Sequence, residues 1–234
     1  MDVILVPGFW LDGSSWDGVV PSLEAAGHTV RALTLPGLES ARADHRTIRL
    51  RDHVDAVVAA VDEAGGTVVL VGHSGGGPIA NGALDARPGR VARIIYVDSF
   101  PAAHGRPIND EMTEVDGGIP LPAWEELPEE DLRDLDDELR RAFRARAVPE
   151  PARVACDPQV LTDERRHDVP ATVIACEFTE DQLRGWMASG SPAMAELAAV
   201  RDLEVVELPT GHWPQFTRPG DLARVLVEVI DRRM

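Results

Sequence analysis

A serine hydroxyl becomes a useful nucleophile when a tight strand-to-helix turn pushes it out of a sheet into strained backbone geometry. Ser74 lies in Val71-Gly72-His73-Ser74-Gly75-Gly76, with glycine two residues away on either side, directly after the apolar run Thr67-Val68-Val69-Leu70-Val71. Gly72 and Gly76 remove the side chains that would collide as the arms of that turn close. The stretch after Ser74 reads as a helix whose first amides face the place where an oxyanion would form. The chemistry these residues could do is nucleophilic attack on an acyl carbon.

Such a serine needs a base, an acid to orient the base, and two amide donors. The base candidate is His212, in Leu208-Pro209-Thr210-Gly211-His212-Trp213-Pro214-Gln215, a loop between the last predicted strand and the last predicted helix. The other histidines fit less well. His28, His45 and His53 precede the elbow, His73 lies inside it, and His104 and His167 flank a middle segment.

The elements that must position this pair alternate between apolar β-rich runs and helical patterns. That alternation predicts a doubly wound, mostly parallel sheet of six strands, an α/β fold with helices on both faces. Strands are expected at 3–7, 29–35, 67–72, 91–98, 171–177 and 203–208, and helices at 16–26, 50–64, 75–85, 192–200 and 219–232. Val54, Val57, Val58 and Val61 give the second helix an amphipathic face, and Gly65-Gly66 stops it. The pattern breaks between Pro101 and Pro170, where Leu132, Leu135, Leu139, Ala142 and Phe143 carry helical spacing within an acidic run. This predicts a core of 1–100 and 170–234 with a helical cap at 101–169, the acidic run being its solvated face.

A chain of 234 residues can bury a sizeable core as one domain. Its net charge of −17 argues against nucleic acid and anionic membrane surfaces as partners and disfavours strongly anionic substrates. It holds 23 arginines and no lysine, which excludes Schiff-base chemistry and a phosphate loop. Cys156 and Cys176 have no metal or redox spacing and read as free thiols. The acidic N-terminus runs straight into a strand rather than reading as a signal peptide, and no apolar stretch is long enough to span a membrane. A cytoplasmic protein is the expectation.

With these residues in view the chain resembles the α/β-hydrolase superfamily over nearly its full length. Within it, Pro7-Gly8-Phe9-Trp10-Leu11-Asp12-Gly13-Ser14-Ser15-Trp16 and Glu24-Ala25-Ala26-Gly27-His28 are similar to the small methylesterase and hydroxynitrile-lyase branch, with Pro7 where that branch has histidine. The resemblance implies an oxyanion hole from the backbone amides of Phe9 and Gly75. The acid has two family positions. One follows the strand after the cap, where Glu177, Glu180 and Asp181 stand, with Cys176 at the usual glycine. The other ends the strand before the cap and points to Asp98, 24 residues after Ser74, a spacing similar to haloalkane-dehalogenase-like members. A carboxylate closing an apolar strand wants a partner, so Asp98 is the choice, the others staying open. The lid lysine of the lyase branch has no counterpart here.

The expected activity is hydrolysis of a small, largely apolar carboxylic ester, thioester or lactone, with no metal and no cofactor. The partner is a small-molecule substrate; oligomeric state is not readable. Phe9, Trp10, Trp124, Trp186, Trp213 and Phe216 are candidates to line the pocket, with Trp10 and Trp213 first because they adjoin the catalytic elements. Two other readings remain. A non-catalytic small-molecule receptor could keep the same residues on the same fold. Gly75-Gly76-Gly77-Pro78-Ile79-Ala80 also fits Gly-x-Gly-x-x-Ala, with Asp98 ending the next strand, as in an NAD-dependent oxidoreductase.

Overall fold

Residues 1–232 are described by the computed structural model of the chain. Four strands come first: β1 (Asp2–Val6), β2 (Thr29–Ala32), β3 (Val68–His73) and β4 (Val91–Val97). A short antiparallel ribbon, β5 (Gly118–Ile119) with β6 (Glu150–Pro151), lies in the insertion, and β7 (Ala171–Ala175) and β8 (Leu203–Glu207) follow it. The main sheet has six parallel strands in the order β2-β1-β3-β4-β7-β8. The α/β architecture read from the alternation of patterns is therefore the observed one.

The helices are α1 (Val20–Ala25), α2 (Leu50–Glu63), α3 (Gly76–Ala86), α4 (Asp137–Arg146), α5 (Ala152–Cys156), α6 (Glu180–Ala188), α7 (Ala195–Ala198), α8 (Pro214–Thr217) and α9 (Pro219–Asp231). Both faces of the sheet are covered, which is why its central strands are apolar throughout rather than alternating. Val69 and Val71 of β3 pack with Leu23 of α1 and with Leu222, Leu226 and Val229 of α9. Val68 and Leu70 pack on the other side with Val57, Val58 and Val61 of α2 and Ile79 and Leu84 of α3.

Several elements differ from expectation. The first helix is a 3-10 turn at Gly13–Trp16 followed by α1, which starts beside Pro21. The stretch expected as one helix at 192–200 is a 3-10 turn, Pro192–Met194, and then α7. Helix α6 was not foreseen, although Thr179 and Gln182 form a capping box at its start. In the insertion, Leu132 and Leu135 precede α4, because Asp136 caps that helix by accepting from the amides of Glu138 (3.0 Å) and Leu139 (2.9 Å). Among the described residues no helix is long and apolar enough to cross a membrane. Cys156 is exposed and Cys176 buried, both free.

Candidate active site

The sheet brings three strand ends together. β3 ends at His73, and Ser74 follows in the left-handed region at φ 49°. A non-glycine residue held there is strained and persists because its surroundings fix it. The Ser74 amide donates to the carbonyl of Val97 (3.2 Å), and the Ser99 hydroxyl donates to the carbonyl of Ser74 (2.6 Å). A Cβ at Gly72 would stand 2.6 Å from the Gly76 carbonyl, and one at Gly76 would strike the carbonyls of Val6 and Pro7. The elbow glycines thus allow the turn to close and let it seat on the end of β1. The glycines that also fit a dinucleotide frame are used for packing: a Cβ at Gly77 would run into the Ser99 hydroxyl.

Beside the elbow, Val97 of β4 pairs with Ile174 of β7 in parallel register. The residues just beyond these strands therefore become neighbours. Asp98, itself at φ 45°, accepts through Oδ1 from the amides of Cys176 (2.9 Å) and Glu177 (3.1 Å). Its Oδ2 lies 2.7 Å from Nδ1 of His212, whose Nε2 lies 2.8 Å from the Ser74 hydroxyl. Ser74, His212 and Asp98 form one continuous hydrogen-bonded line. Glu177 also reaches His212, with Oε2 3.3 Å from Nδ1. Glu180 pairs with Arg184 along α6, and Asp181 is exposed in its first turn, so neither meets the imidazole.

The loop bearing His212 is held from two sides. Its amide donates to the carbonyl of Asp131 (2.9 Å), and a Cβ at Gly211 would stand 2.5 Å from the carbonyls of Asp131 and Arg133. From beneath, buried His73 donates through Nε2 to the carbonyl of His212 (2.7 Å) and accepts at Nδ1 from the Gln215 amide (3.2 Å). Burial, with the neighbouring His212 charge, pushes the His73 pKa down to about 3, so it stays neutral. The sequence signal for this support was weak: polar His73 and Gln215 sit among apolar neighbours.

Burial alone would lower the His212 pKa, but the bonds to Asp98 and Glu177 outweigh it and raise the pKa well above the ordinary imidazole range. Burial works against ionised Asp98, yet its hydrogen bond to His212 holds its carboxyl below the usual range. Burial and the Asp98 charge push Glu177 up, against the pull of His212. Asp98, Glu177 and His212 each offer a donor atom within 4.8 Å of the others, the arrangement in which a cation could sit. Here the two carboxylates face the Nδ1–H of His212 as acceptors, which suits proton handling.

Around Ser74 lies a cavity of about 380 Å³ whose walls include Phe9, Gly75, Phe100, Met112, Phe178 and Trp186. Phe9 and Gly75, expected as amide donors, stand side by side at it, the Phe9 ring filling the space a Gly75 Cβ would take. Trp10 and Trp213 are not walls of this cavity, contrary to expectation. Trp10 turns to the ribbon, donating from Nε1 to the carbonyl of Ile119 (3.0 Å), and its own carbonyl accepts from Val148 (3.0 Å). Trp213 is only 2% exposed and packs edge-on against Trp124, Phe143 and His212. Both adjoin catalytic elements in sequence but point into the core.

A sequence model described as the alpha/beta hydrolase family matches residues 3–225. The chain belongs to the α/β-hydrolase family. It is 27% identical over 247 residues to a pyrethroid hydrolase of Sphingobium wenxiniae, covering 98% of this chain and 88% of that protein. It is 24% identical over 259 residues to methylesterase 7 of Arabidopsis thaliana, covering 98% and 96%. Among solved structures, an extracellular α/β-hydrolase from a Paenibacillus species superposes with a TM-score of 0.78 at 18% identity, covering 97% of this chain and 98% of that one. Polyneuridine aldehyde esterase gives 0.71 at 19%, covering 98% and 99%. This chain of the α/β-hydrolase family thus shares its methylesterase-like fold and is a hydrolase.

Proposed function

We propose that the protein is a serine hydrolase that cleaves a small, largely apolar carboxylic ester, thioester or lactone through an acyl-enzyme on Ser74. The observation that carries this reading is the line from Ser74 through His212 to Asp98, with contacts of 2.8 and 2.7 Å. In its neutral form, with the one ring proton on Nδ1 toward Asp98, His212 takes the hydroxyl proton at Nε2 as Oγ bonds to the carbonyl carbon and the carbonyl π pair moves onto oxygen. The amides of Phe9 and Gly75 receive that oxyanion, each such donor typically contributing about 10²–10³ in rate. Asp98 keeps the Nδ1–H tautomer and steadies the imidazolium. Nε2 then protonates the leaving group, and water repeats the sequence on the acyl-enzyme.

Substrate class follows from the cavity and the relatives. Its aromatic and aliphatic walls, with Glu177 and Asp98 as the acidic groups, favour a neutral, apolar acyl or leaving group over an anionic one. A pyrethroid hydrolase, a carbendazim hydrolyzing esterase and a methylesterase are among the sequence relatives, which supports ester or ester-like substrates. Residues 101–169 serve as a cap that adds Ile108, Asn109 and Met112 to the cavity. The test is covalent labelling by a fluorophosphonate, with turnover of chromogenic short-chain esters, thioesters and lactones. Wild type labels on Ser74 and turns over at least one class, and Ser74→Ala does neither. Absence of both in folded wild type would leave the small-molecule receptor as the better reading.

A further inference from the structure

We propose that Glu177 is a second acid on His212, a positioning residue that shares the Nδ1 proton with Asp98, so that two carboxylates branch from one imidazole. Its consequence for turnover rests on the serine-hydrolase reading above.

The geometry starts from the sheet. Because β4 and β7 are adjacent and in register, the first residues past each strand converge on one point. Glu177 acts there twice. Its amide donates to Oδ1 of Asp98 (3.1 Å), and its carboxylate stands 3.3 Å from the nitrogen that Oδ2 of Asp98 reaches at 2.7 Å. One N–H is thus presented to two acceptors. The other Glu177 oxygen, Oε1, is buried and accepts from no fixed N–H or O–H among the described residues, and the carboxyl also meets that of Asp131, a contact that only a shared proton can bridge. A carboxylate so placed is either protonated or held by a neighbouring cation. Among the described residues the cation paired with it is the His212 imidazolium.

The groups facing this carboxyl come from several elements. Asp98 stands at the end of β4, Cys176 precedes Glu177, Asp131 approaches from the insertion, and His73 lies beneath His212 at the end of β3. Burial keeps His73 neutral and Cys176 a thiol, so the shared proton moves among His212 and the carboxyls. Two carboxylates this close do not both ionise easily beside a neutral imidazole. When Ser74 gives its proton to Nε2, the imidazolium forms between them and both are satisfied. The second carboxylate therefore helps the charged form of His212 and preserves its tautomer when Asp98 is altered.

The experiment is a cycle of Asp98→Asn, Glu177→Gln and the double variant, with kcat/KM followed against pH on the best ester of the panel. Asparagine tolerates the left-handed backbone at position 98. Replacing a lone orienting aspartate by asparagine typically lowers turnover about 10⁴-fold. Here Asp98→Asn is expected to lose only about 10²-fold, and the double variant at least a further tenfold. Removing the Glu177 carboxylate lowers the proton affinity of His212, so the acidic limb of the Glu177→Gln profile moves to lower pH. If Asp98→Asn and the double variant agree within about twofold, the proposal is overturned. Nitrogen NMR of His212 in Ser74→Ala and in Ser74→Ala/Glu177→Gln reads the same coupling without turnover. A lower His212 pKa in the second supports the proposal and an unchanged one overturns it. Failure of wild type to label with a fluorophosphonate would instead count against the hydrolase reading alone.

Discussion

The ring of His73 donates to the backbone carbonyl of His212 across 2.7 Å, so the histidine inside the nucleophile's own turn carries the loop that holds the base. Nucleophile and base are thereby fixed to the same strand end, and their 2.8 Å contact depends on it. His73→Leu should leave the His212 carbonyl and the Gln215 amide without that partner. An unsatisfied buried group costs about 1–3 kcal/mol, and a misplaced catalytic group can lower the rate about 10²-fold. We expect a lower melting temperature and a drop in kcat of about tenfold or more, read in the same preparations by calorimetry and ester turnover.

Stability should fall on both sides of neutrality. Burial lowers the pKa of His73 to about 3 and of His53 to about 4. The unfolded chain takes up these protons below pH about 6.5 while the folded chain refuses them, so stability decreases as pH falls from there toward about 4, by about 1.4 kcal/mol per unit per proton. Glu150 acts in the opposite sense. Burial raises its pKa to about 8 against the pull of the Trp10 backbone beside it, and its Oε1 lies 3.7 Å from Nδ1 of the equally buried His53. The folded chain keeps that proton where the unfolded chain has lost it, so stability declines as pH rises from about 4.5 toward about 8. Glu150→Gln should melt higher than wild type at pH 8 and show no such advantage at pH 4.5. A melting-temperature difference that does not change with pH would contradict this.

Ser74 and His212 were legible in the sequence because each sits in a local pattern, glycines about a turn and a loop between the last strand and helix. The six strands were legible because both faces of the sheet are buried. Glu177 was legible only as one choice among four, since the convergence of Asp98 and Glu177 is a property of strand order: β4 and β7 are far apart in the chain and neighbours in the sheet. Trp10 and Trp213 misled for a related reason. Adjacency in sequence to a catalytic residue does not fix direction, and Trp10, at φ 66°, is turned toward Ile119. Helix α6 was not legible although Thr179 and Gln182 form its capping box, because Leu183 is its single buried residue and no amphipathic repeat marks the segment.

The base loop should also be sensitive to a single methyl group. A Cβ on residue 211 would stand 2.5 Å from the carbonyls of Asp131 and Arg133, backbone atoms that cannot swing aside. Gly211→Ala should therefore push the His212 loop away from the insertion and lengthen the contact to Ser74. The expected result is a fall in kcat/KM of about 10²-fold, with the sheet still folded by circular dichroism. Fluorophosphonate labelling should slow in parallel, because it needs the same base. Unchanged labelling in Gly211→Ala would show that the insertion does not hold this loop.

Two tryptophans separate binding from stability. Trp186 is 42% exposed, lies 5.3 Å from the Phe178 ring between centroids, and borders the cavity at Ser74. A large aromatic left open to water beside a nucleophile gains most when a substrate group covers it. Trp213 is enclosed by Trp124 and Phe143, and truncating such a side chain typically costs about 3–5 kcal/mol. Trp186→Ala should raise KM for esters with bulky apolar groups by about tenfold, barely affect acetate esters, and leave the melting temperature nearly unchanged, since about 1.4 kcal/mol of lost contact corresponds to that factor. Trp213→Ala should lower the melting temperature sharply. The contrast is read from one substrate series and one melting curve per variant: an equal KM shift for bulky and acetyl esters would place the substrate's apolar group away from Trp186.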